Sequence, residues 1–331
     1  MELSFTSSKE MKGRLHKRMS QMGDKSSLAN QKILVTGASG FIGSHLCRHL
    51  SRLGADVHAT SRVMRTSVEG GPCWWHSTLI EIDSVREILS KVRPDVVYHL
   101  AGSVGASTDK ELVLPTFHSL LTSTVNILIG ATEVGCRRVI LSGSLTEPCS
   151  GDFSRTPSSP YAAAKWAASA YGRMFHVLYQ TPTVVVTPFM TFGPKQQASK
   201  LVPSVILSLL KQETPRLTSG LWEADWVYID DVITGFLDAA IVTGIEGATF
   251  DLGTGTKRTV REVVENIVKL MDSPLKPQFG VLQDRPREPV RIADMMETRG
   301  RLGWSAKTSL EEGLRQTIQW YVEQTSIIKP S

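Results

Sequence analysis

Cysteine is scarce in this chain of 331 residues; Cys47, Cys73, Cys136 and Cys149 are the four. Their spacing fits no metal-ligand motif, so no metal is expected, and they read as reduced thiols of a cytoplasmic protein. Long apolar runs are missing too. No stretch approaches the roughly 20 residues a membrane helix needs, so no membrane partner is expected. Charge of one sign is not in large excess. The net +5 is diffuse, suits an anionic small molecule, and makes no case for nucleic acid. The N-terminus lacks an apolar segment of signal-peptide length. Residues 1–30 are instead Ser-rich and basic, with Lys9, Lys12, Arg14, Lys17, Arg18 and Lys25 set against Glu2, Glu10 and Asp24. They read as a disordered extension; the acidic residues weaken an organelle-transit reading. The remainder is long enough for a nucleotide-binding domain with a smaller partner.

Against these absences stands one dense stretch, Lys32-Ile-Leu-Val-Thr-Gly-Ala-Ser-Gly-Phe-Ile-Gly43. Ile33, Leu34 and Val35 predict a short buried strand. Gly37, Gly40 and Gly43 follow at a three-residue spacing, and Ile42, Leu46, Leu50 and Leu53 then fall at helical spacing. Strand, glycine turn and amphipathic helix make a dinucleotide cradle: Gly37 for the turn, Gly40 for approach to the pyrophosphate, Gly43 for helix packing. The helix N-terminus offers N–H donors to the phosphates.

In the form T-G-x-x-G-F-I-G this stretch resembles the extended short-chain dehydrogenase/reductase family, the NAD-dependent epimerases, dehydratases and reductases of nucleotide sugars. Later segments extend the resemblance over roughly residues 31–322. It implies a doubly wound parallel α/β (Rossmann) domain over 31–186 and a mainly substrate-binding domain over 187–331. Residues of about 225–252 would return to the first domain. Cofactor contacts are expected from Thr36, Gly37, Gly40, Phe41, Ile42 and Gly43. Ala55–Arg62 reads as the second strand, ending in Ser61 and Arg62 without a carboxylate. Such an arginine suits the 2′-phosphate of NADP, whereas NAD asks for an acid there; a solvated surface arginine is the plainer alternative. Leu79–Asp83 reads as a third strand, Asp83 being either an adenine contact or a helix N-cap. Pro94–Gly102 resembles V-x-H-L-A-A, with Leu100, Ala101 and Gly102 close to the cofactor and His99 a strand residue rather than a base. The family's N-x-x-G-T-x-N appears as Leu120–Asn126, its first Asn replaced by Leu120.

The chemistry rests on Pro160-Tyr-Ala-Ala-Ala-Lys165, where Tyr161 and Lys165 fall four apart on one helix face. Tyr161 exchanges a proton with a substrate oxygen, and Lys165 lowers the phenol's pKa and grips the nicotinamide ribose. By resemblance Ser144, after the strand Arg138–Ser144, is the catalytic hydroxyl, with Ser142 in support. Leu145 and Thr146 replace the Asp-Glu pair of the dehydratases, which disfavours water elimination. Glu147 comes one residue late. Pro188, Met190 and Thr191 lie in a stretch resembling L-R-P-x-N-V-Y-G-P. Ala224–Asp231 resembles R-D-F-V-Y-V-D-D without its first Arg. Arg287, with Arg285 as competitor, is the expected diphosphate contact, and Ser142, Thr146 and Met190 are further substrate candidates. The function implied is NADP(H)-dependent reduction of a nucleotide-linked 4-keto-6-deoxy sugar. A 4-epimerase with retained NAD is the alternative; a non-catalytic nucleotide sensor and a reductase of small ketones are further rivals. A homodimer is expected by analogy.

Overall fold

A computed structural model describes residues 24–105, 107–148, 156–284 and 290–328. Seven strands form one parallel sheet: β1 (Lys32–Thr36), β2 (Asp56–Ser61), β3 (Cys73–His76), β4 (Val96–His99), β5 (Arg138–Ser142), β6 (Thr183–Pro188) and, much later, β10 (Thr249–Leu252). Their order is β10-β6-β5-β4-β1-β2-β3. A parallel sheet covered on both faces needs strands apolar on both sides. The sequence supplies them. Ile33 and Val35 point into one core and Leu34 into the other; Val96 and Tyr98 oppose Val97, and Val184 and Val186 oppose Val185. Helices α1 (Phe41–Arg52) and α6 (Ile229–Ile241) cover the first face. Helices α2 (Ile82–Val92), α3 (Ser123–Val134) and α4 (Pro160–Tyr179) cover the second.

Beyond β6 the chain leaves the sheet as β7 (Met190–Phe192), which pairs with β9 (Trp226–Tyr228); α5 (Leu201–Leu210), α7 (Val260–Leu270) and α8 (Leu310–Ile328) pack around them. Short strands β8 (Glu223–Ala224) and β11 (Arg258–Thr259) make an antiparallel pair. Asp225, 1% exposed, joins this region to the sheet end. Its carboxylate accepts the Thr254, Gly255 and Ala293 N–H groups at 2.7, 2.9 and 3.2 Å. Asp231 similarly accepts the Thr308 N–H at 2.8 Å. These acids of the Ala224–Asp231 stretch hold backbone.

Three expectations need correction. The third strand is Cys73–His76, not Leu79–Asp83. Trp74 and Trp75 pack on opposite sides of the sheet edge, and Trp75 Nε1 donates to His58 Nδ1 at 3.0 Å. The alternation Leu79-Ile-Glu-Ile82 imitates a strand, but Ile82, Val85, Leu89 and Val92 continue at helical spacing and α2 wins. Residues 25–28 form a 3-10 turn rather than part of a disordered extension, because Leu28 is buried in the core and Lys25 pairs with Asp238 at 3.1 Å. Lastly, the helical run Lys110–Val134 is long and apolar enough to span a bilayer by length and composition. It lies along the sheet, where Ile127, Leu128 and Ala131 enter the core.

Candidate active site

The cradle forms at the C-terminal edge of β1. Gly37 has φ +66°, and a Cβ on it would come within 2.7 Å of the Leu100 and Ala101 backbone. Two neighbouring turns therefore touch through bare main chain. On Gly43 a Cβ would overlap the Gly37 carbonyl oxygen and stand 2.8 Å from Ala38 Cα. Gly40 is the N-cap of α1 and brings no side-chain cap, nor does the first turn hold an acid. The first-turn N–H groups there have no acceptor within the helix, and with the positive end of the helix dipole they suit a pyrophosphate. Phe41 and Ile42 begin that helix, half-buried. Thr36 is fully buried; its hydroxyl accepts the Ala101 N–H at 3.2 Å and meets His99 Nδ1 at 2.8 Å. His99 also meets Thr124 Oγ1 at 3.1 Å, and burial, aided by the Lys165 charge, pushes the imidazole down to about 3. It is a neutral bracket between β4 and α3. These residues fit a dinucleotide.

At the end of β2, Ser61 is buried and its Oγ accepts the Val63 N–H at 3.1 Å; Arg62 is exposed. The Arg62 guanidinium has no ion-pair partner among the described residues. Arg65 differs, its guanidinium lying over the Trp74 ring at 5.0 Å. Asp83 is not at a strand end and is not the N-cap, which is Glu81; it sits in the first turn of α2 with its side chain 95% exposed. Gly102 packs on Leu120, whose Cδ2 a Cβ there would overlap. The residue replacing the family's Asn thus fills core. Asn126 donates to the Leu79 carbonyl at 3.0 Å and ties α3 to the turn before α2.

Five candidates converge past the end of β5. Ser159 caps α4, its Oγ accepting the Ala162 N–H at 3.2 Å, and Pro160 opens the helix, so Tyr161 sits in the first turn with its side chain aimed at the strand end. The Tyr161 phenol is close enough to the Ser144 side chain for that hydroxyl to oppose the effect of burial on it. Ser144 Oγ lies 2.9 Å from Thr146 Oγ1 and accepts the Thr146 N–H at 3.2 Å. Lys165, 9% exposed, donates from Nζ to the Ser142 carbonyl at 2.7 Å. Burial brings its ammonium down to about 8, against the nearby Glu147 charge. Tyr161 differs from expectation. Burial raises its phenol, the Ser144 hydroxyl opposes this, and Glu147 adds to the rise; Lys165 is not among the causes. Ammonium and phenol point to different partners along one helix face.

Pro188 ends β6, and Met190 opens β7, its N–H donating to the Asp225 carbonyl at 3.0 Å. Arg285, Arg287 and Cys149 lie outside the described residues. Sequence reasoning passed over Arg291, 14% exposed, whose Nη2 donates to both carboxylate oxygens of Asp251 at 2.9 and 2.8 Å. It also passed over the placement of Glu147, whose Oε1 accepts the Ser144 N–H at 2.6 Å. The i, i+3 spacing of Ser144 and Glu147 was the available signal.

The chain is similar to known proteins over most of its length. A dTDP-glucose 4,6-dehydratase of Haemophilus influenzae is 28% identical over 336 residues, covering 89% of this chain and 98% of that protein. A UDP-glucose 4-epimerase of Mycolicibacterium smegmatis is 29% identical, covering 88% and 98%. Among solved structures, Thermus thermophilus UDP-glucose 4-epimerase in complex with NAD superposes with a TM-score of 0.76 at 23% identity, covering 88% of this chain and 98% of that one. The family model described as "NAD dependent epimerase/dehydratase family" matches residues 33–253, from β1 through the end of β10, and the chain belongs to that family of enzymes.

Proposed function

We propose that this enzyme is an NADP(H)-dependent reductase of a nucleotide-linked 4-keto-6-deoxy sugar. The observation carrying the cofactor choice is the end of β2. Ser61 and Arg62 stand there without a carboxylate, and the Arg62 guanidinium is unpaired among the described residues. A free guanidinium suits a 2′-phosphate, and the acid that would hold the ribose hydroxyl of NAD is missing. The residues that would hold the dinucleotide are Thr36, Gly37, Gly40, Phe41, Ile42, Gly43, Ser61, Arg62, Leu100, Ala101, Gly102 and Pro188, with Tyr161 and Lys165 at its nicotinamide end. When bound, it supplies a hydride to a sugar carbonyl carbon.

The chain's own part is proton handling. Tyr161 gives its phenolic proton to the carbonyl oxygen, and Ser144 orients that oxygen through a hydrogen bond. Lys165 supplies the positive field and holds the strand end through Ser142. Relatives named for dTDP-glucose and UDP-glucose support a nucleotide-sugar substrate. We assign its binding mainly to residues 187–331, with Ser142, Thr146 and Met190 facing it and Arg287 for the diphosphate. Elimination of water finds no acid pair at Leu145 and Thr146. The second reading is an NAD-dependent 4-epimerase, favoured by the epimerase relative and by the NAD in the Thermus structure. A homodimer is proposed through the faces of α4 and the run before α3, where Leu114, Phe117, Tyr171, Leu178 and Tyr179 are exposed.

The test is to identify nucleotide released on denaturation, titrate NADPH and NADH by fluorescence, and screen 4-keto sugar nucleotides for NADPH oxidation. NADPH preference that disappears in Arg62→Ala supports the reductase. Retained NAD with no preference for NADPH replaces it with the epimerase.

A further inference from the structure

Helix α1 and the crossover from β2 to β3 enclose a cavity that the reaction proposed above does not use. Its volume is about 440 Å³, within the roughly 300–1,000 Å³ of small-molecule sites. One wall is α1, which presents Ser44, Arg48 and Arg52 at helical spacing. The other is the turn Gly70-Gly71-Pro72 with Trp74. Hydrogen bonds fix that turn: the Gly71 N–H donates to the Val68 carbonyl at 3.0 Å, and the Trp74 N–H to Ser67 Oγ at 2.8 Å. A Cβ on Gly70, whose φ is +71°, would meet nothing within 4 Å, so bare backbone borders open space there.

The charge on these walls is of one sign. Residues 41–76 carry Arg48, Arg52, Arg62 and Arg65 against only Asp56 and Glu69, and neither acid lines the cavity. None of the four arginines has an ion-pair partner among the described residues. Asp56 instead meets His58 at 3.4 Å, and Asp230, on α6, meets His45 and His49 at 3.8 and 3.6 Å. Like charges at i, i+4 destabilise a helix. The helix dipole offsets this at Arg52, in the last turn of α1, but not at Arg48. Arg48 is held in place: its Nη2 donates to His45 Nδ1 at 3.0 Å, while His45 Nε2 donates to the Pro194 carbonyl at 2.9 Å. A third guanidinium, that of Arg65, lies over the Trp74 ring at 5.0 Å.

We propose that this cavity is a second anion site, which takes an oligophosphate group, free or carried by a nucleotide, between Arg48, Arg52 and the Gly70-Gly71 backbone. Guanidinium groups match phosphate oxygens two at a time, and a bare glycine turn lets a phosphate come close. Arg48 and Arg52 are one helical turn apart, about 6 Å along the axis, so a single diphosphate can be gripped from both. The site is distinct from the cradle. Arg52 stands about 12 Å along α1 from Ser44, the neighbour of Gly43, and therefore well away from the helix start. Arg62, assigned above to a 2′-phosphate, does not line the cavity.

The experiment uses the full chain labelled with 5-fluorotryptophan and saturated with whichever of NADPH and NADH binds more tightly, so that the cradle is filled. Fluorine NMR follows the Trp74 resonance, assigned with Trp74→Phe, during titration with inorganic pyrophosphate, with ADP, and with KCl at matched ionic strength. The resonance should move saturably with pyrophosphate and ADP and stay still in KCl. A tighter midpoint for ADP gives the base a contact of its own, and equal midpoints leave binding to the phosphates; both uphold the site. Arg48→Gln combined with Arg52→Gln should weaken the midpoint by about 10-fold or more, and Arg62→Gln should leave it within about 2-fold. A Trp74 resonance that ignores millimolar pyrophosphate overturns the proposal. So does a shift that survives the double substitution, or one seen only while the cradle is empty. Where the double variant does not fold, Arg52→Gln alone decides, since Arg52 is exposed at the end of α1. The readout needs no turnover, so a failed search for a keto-sugar substrate would sink the reductase reading and leave this result standing.

Discussion

Gly43→Ala tests the cradle at its tightest point. The added methyl would overlap the Gly37 carbonyl oxygen and lie 2.8 Å from Ala38 Cα and 2.9 Å from the Gly37 carbonyl carbon. Relaxed carbon contacts run at about 3.5–4.0 Å, so α1 must withdraw by about 0.7 Å or more. All three neighbours are main chain, and no rotamer change relieves them. Overpacking of this kind costs about 1–3 kcal/mol, and replacing Gly by Ala inside a helix returns about 1 kcal/mol. The net loss of stability should therefore be about 0–2 kcal/mol. Binding should suffer more, because the helix that moves carries the N–H groups proposed to hold the phosphates. A weakening of about 10- to 100-fold in dinucleotide Kd, about 1.4–2.8 kcal/mol, is expected. Fluorescence titration with NADPH and NADH measures the affinity, and thermal unfolding reads stability separately. Gly40→Ala is the control for the fold: its Cβ meets only the Gly37 oxygen, at 3.2 Å, and its φ of −77° suits any residue. Its stability should fall by no more than about 1 kcal/mol, the preference for Gly over Ala at an N-cap. A Gly43→Ala protein that binds both nucleotides as wild type does would refute the close approach as the determinant of the cradle.

Further outcomes follow from the site and the core. Tyr161→Phe should lower kcat by about 100- to 10,000-fold while leaving NADPH affinity within a few-fold, since the role proposed for the phenol is proton transfer and the glycine cradle lies elsewhere. His99 makes stability pH-dependent: its folded pKa of about 3 lies below the unfolded value near 6.5. The unfolded chain then binds more protons between those values, so this stability is whole above about pH 6.5 and drains as pH falls towards 3. His99→Gln should flatten the acid limb of a denaturant-midpoint series over that window, and an unchanged limb would show that the ring does not titrate there. Light scattering should give a dimer for wild type and a monomer for the pair Leu114→Glu and Phe117→Glu, whose side chains are 65% and 45% exposed.

Most of the sheet was legible because each inner strand carries apolar residues on both faces and each is followed by a helix-spaced pattern. The cradle was legible for a different reason: backbone-to-backbone approach at Gly37 and Gly43 penalises any side chain, so the geometry is written in residue type. The third strand was misread where two patterns compete. Leu79-Ile-Glu-Ile82 alternates like a strand, yet its Ile82 belongs to the apolar stripe of α2, and the real strand is built from two adjacent tryptophans. The convergence of Ser144 and Tyr161 followed from motif spacing. The orientation of Lys165 towards Ser142, and the burial of Glu147 against Ser144, did not, because both depend on how the chain around the end of β5 packs. Arg291 was hidden because its partner Asp251 sits 40 positions earlier, on the last strand to join the sheet.

That last strand has a consequence for biosynthesis. β6 ends at Pro188 and its edge partner β10 ends at Leu252, 252 − 188 = 64 positions later. At about 5–20 residues per second a ribosome takes about 3–13 s to cover that distance. Throughout it the Thr183-Val-Val-Val-Thr edge has no partner on one side. An uncapped apolar edge is a template for the next nascent chain. Messages that stall or stop between codons 189 and 248 should therefore yield aggregates, whereas those ending past 252 release a chain in which β10 covers the β6 edge.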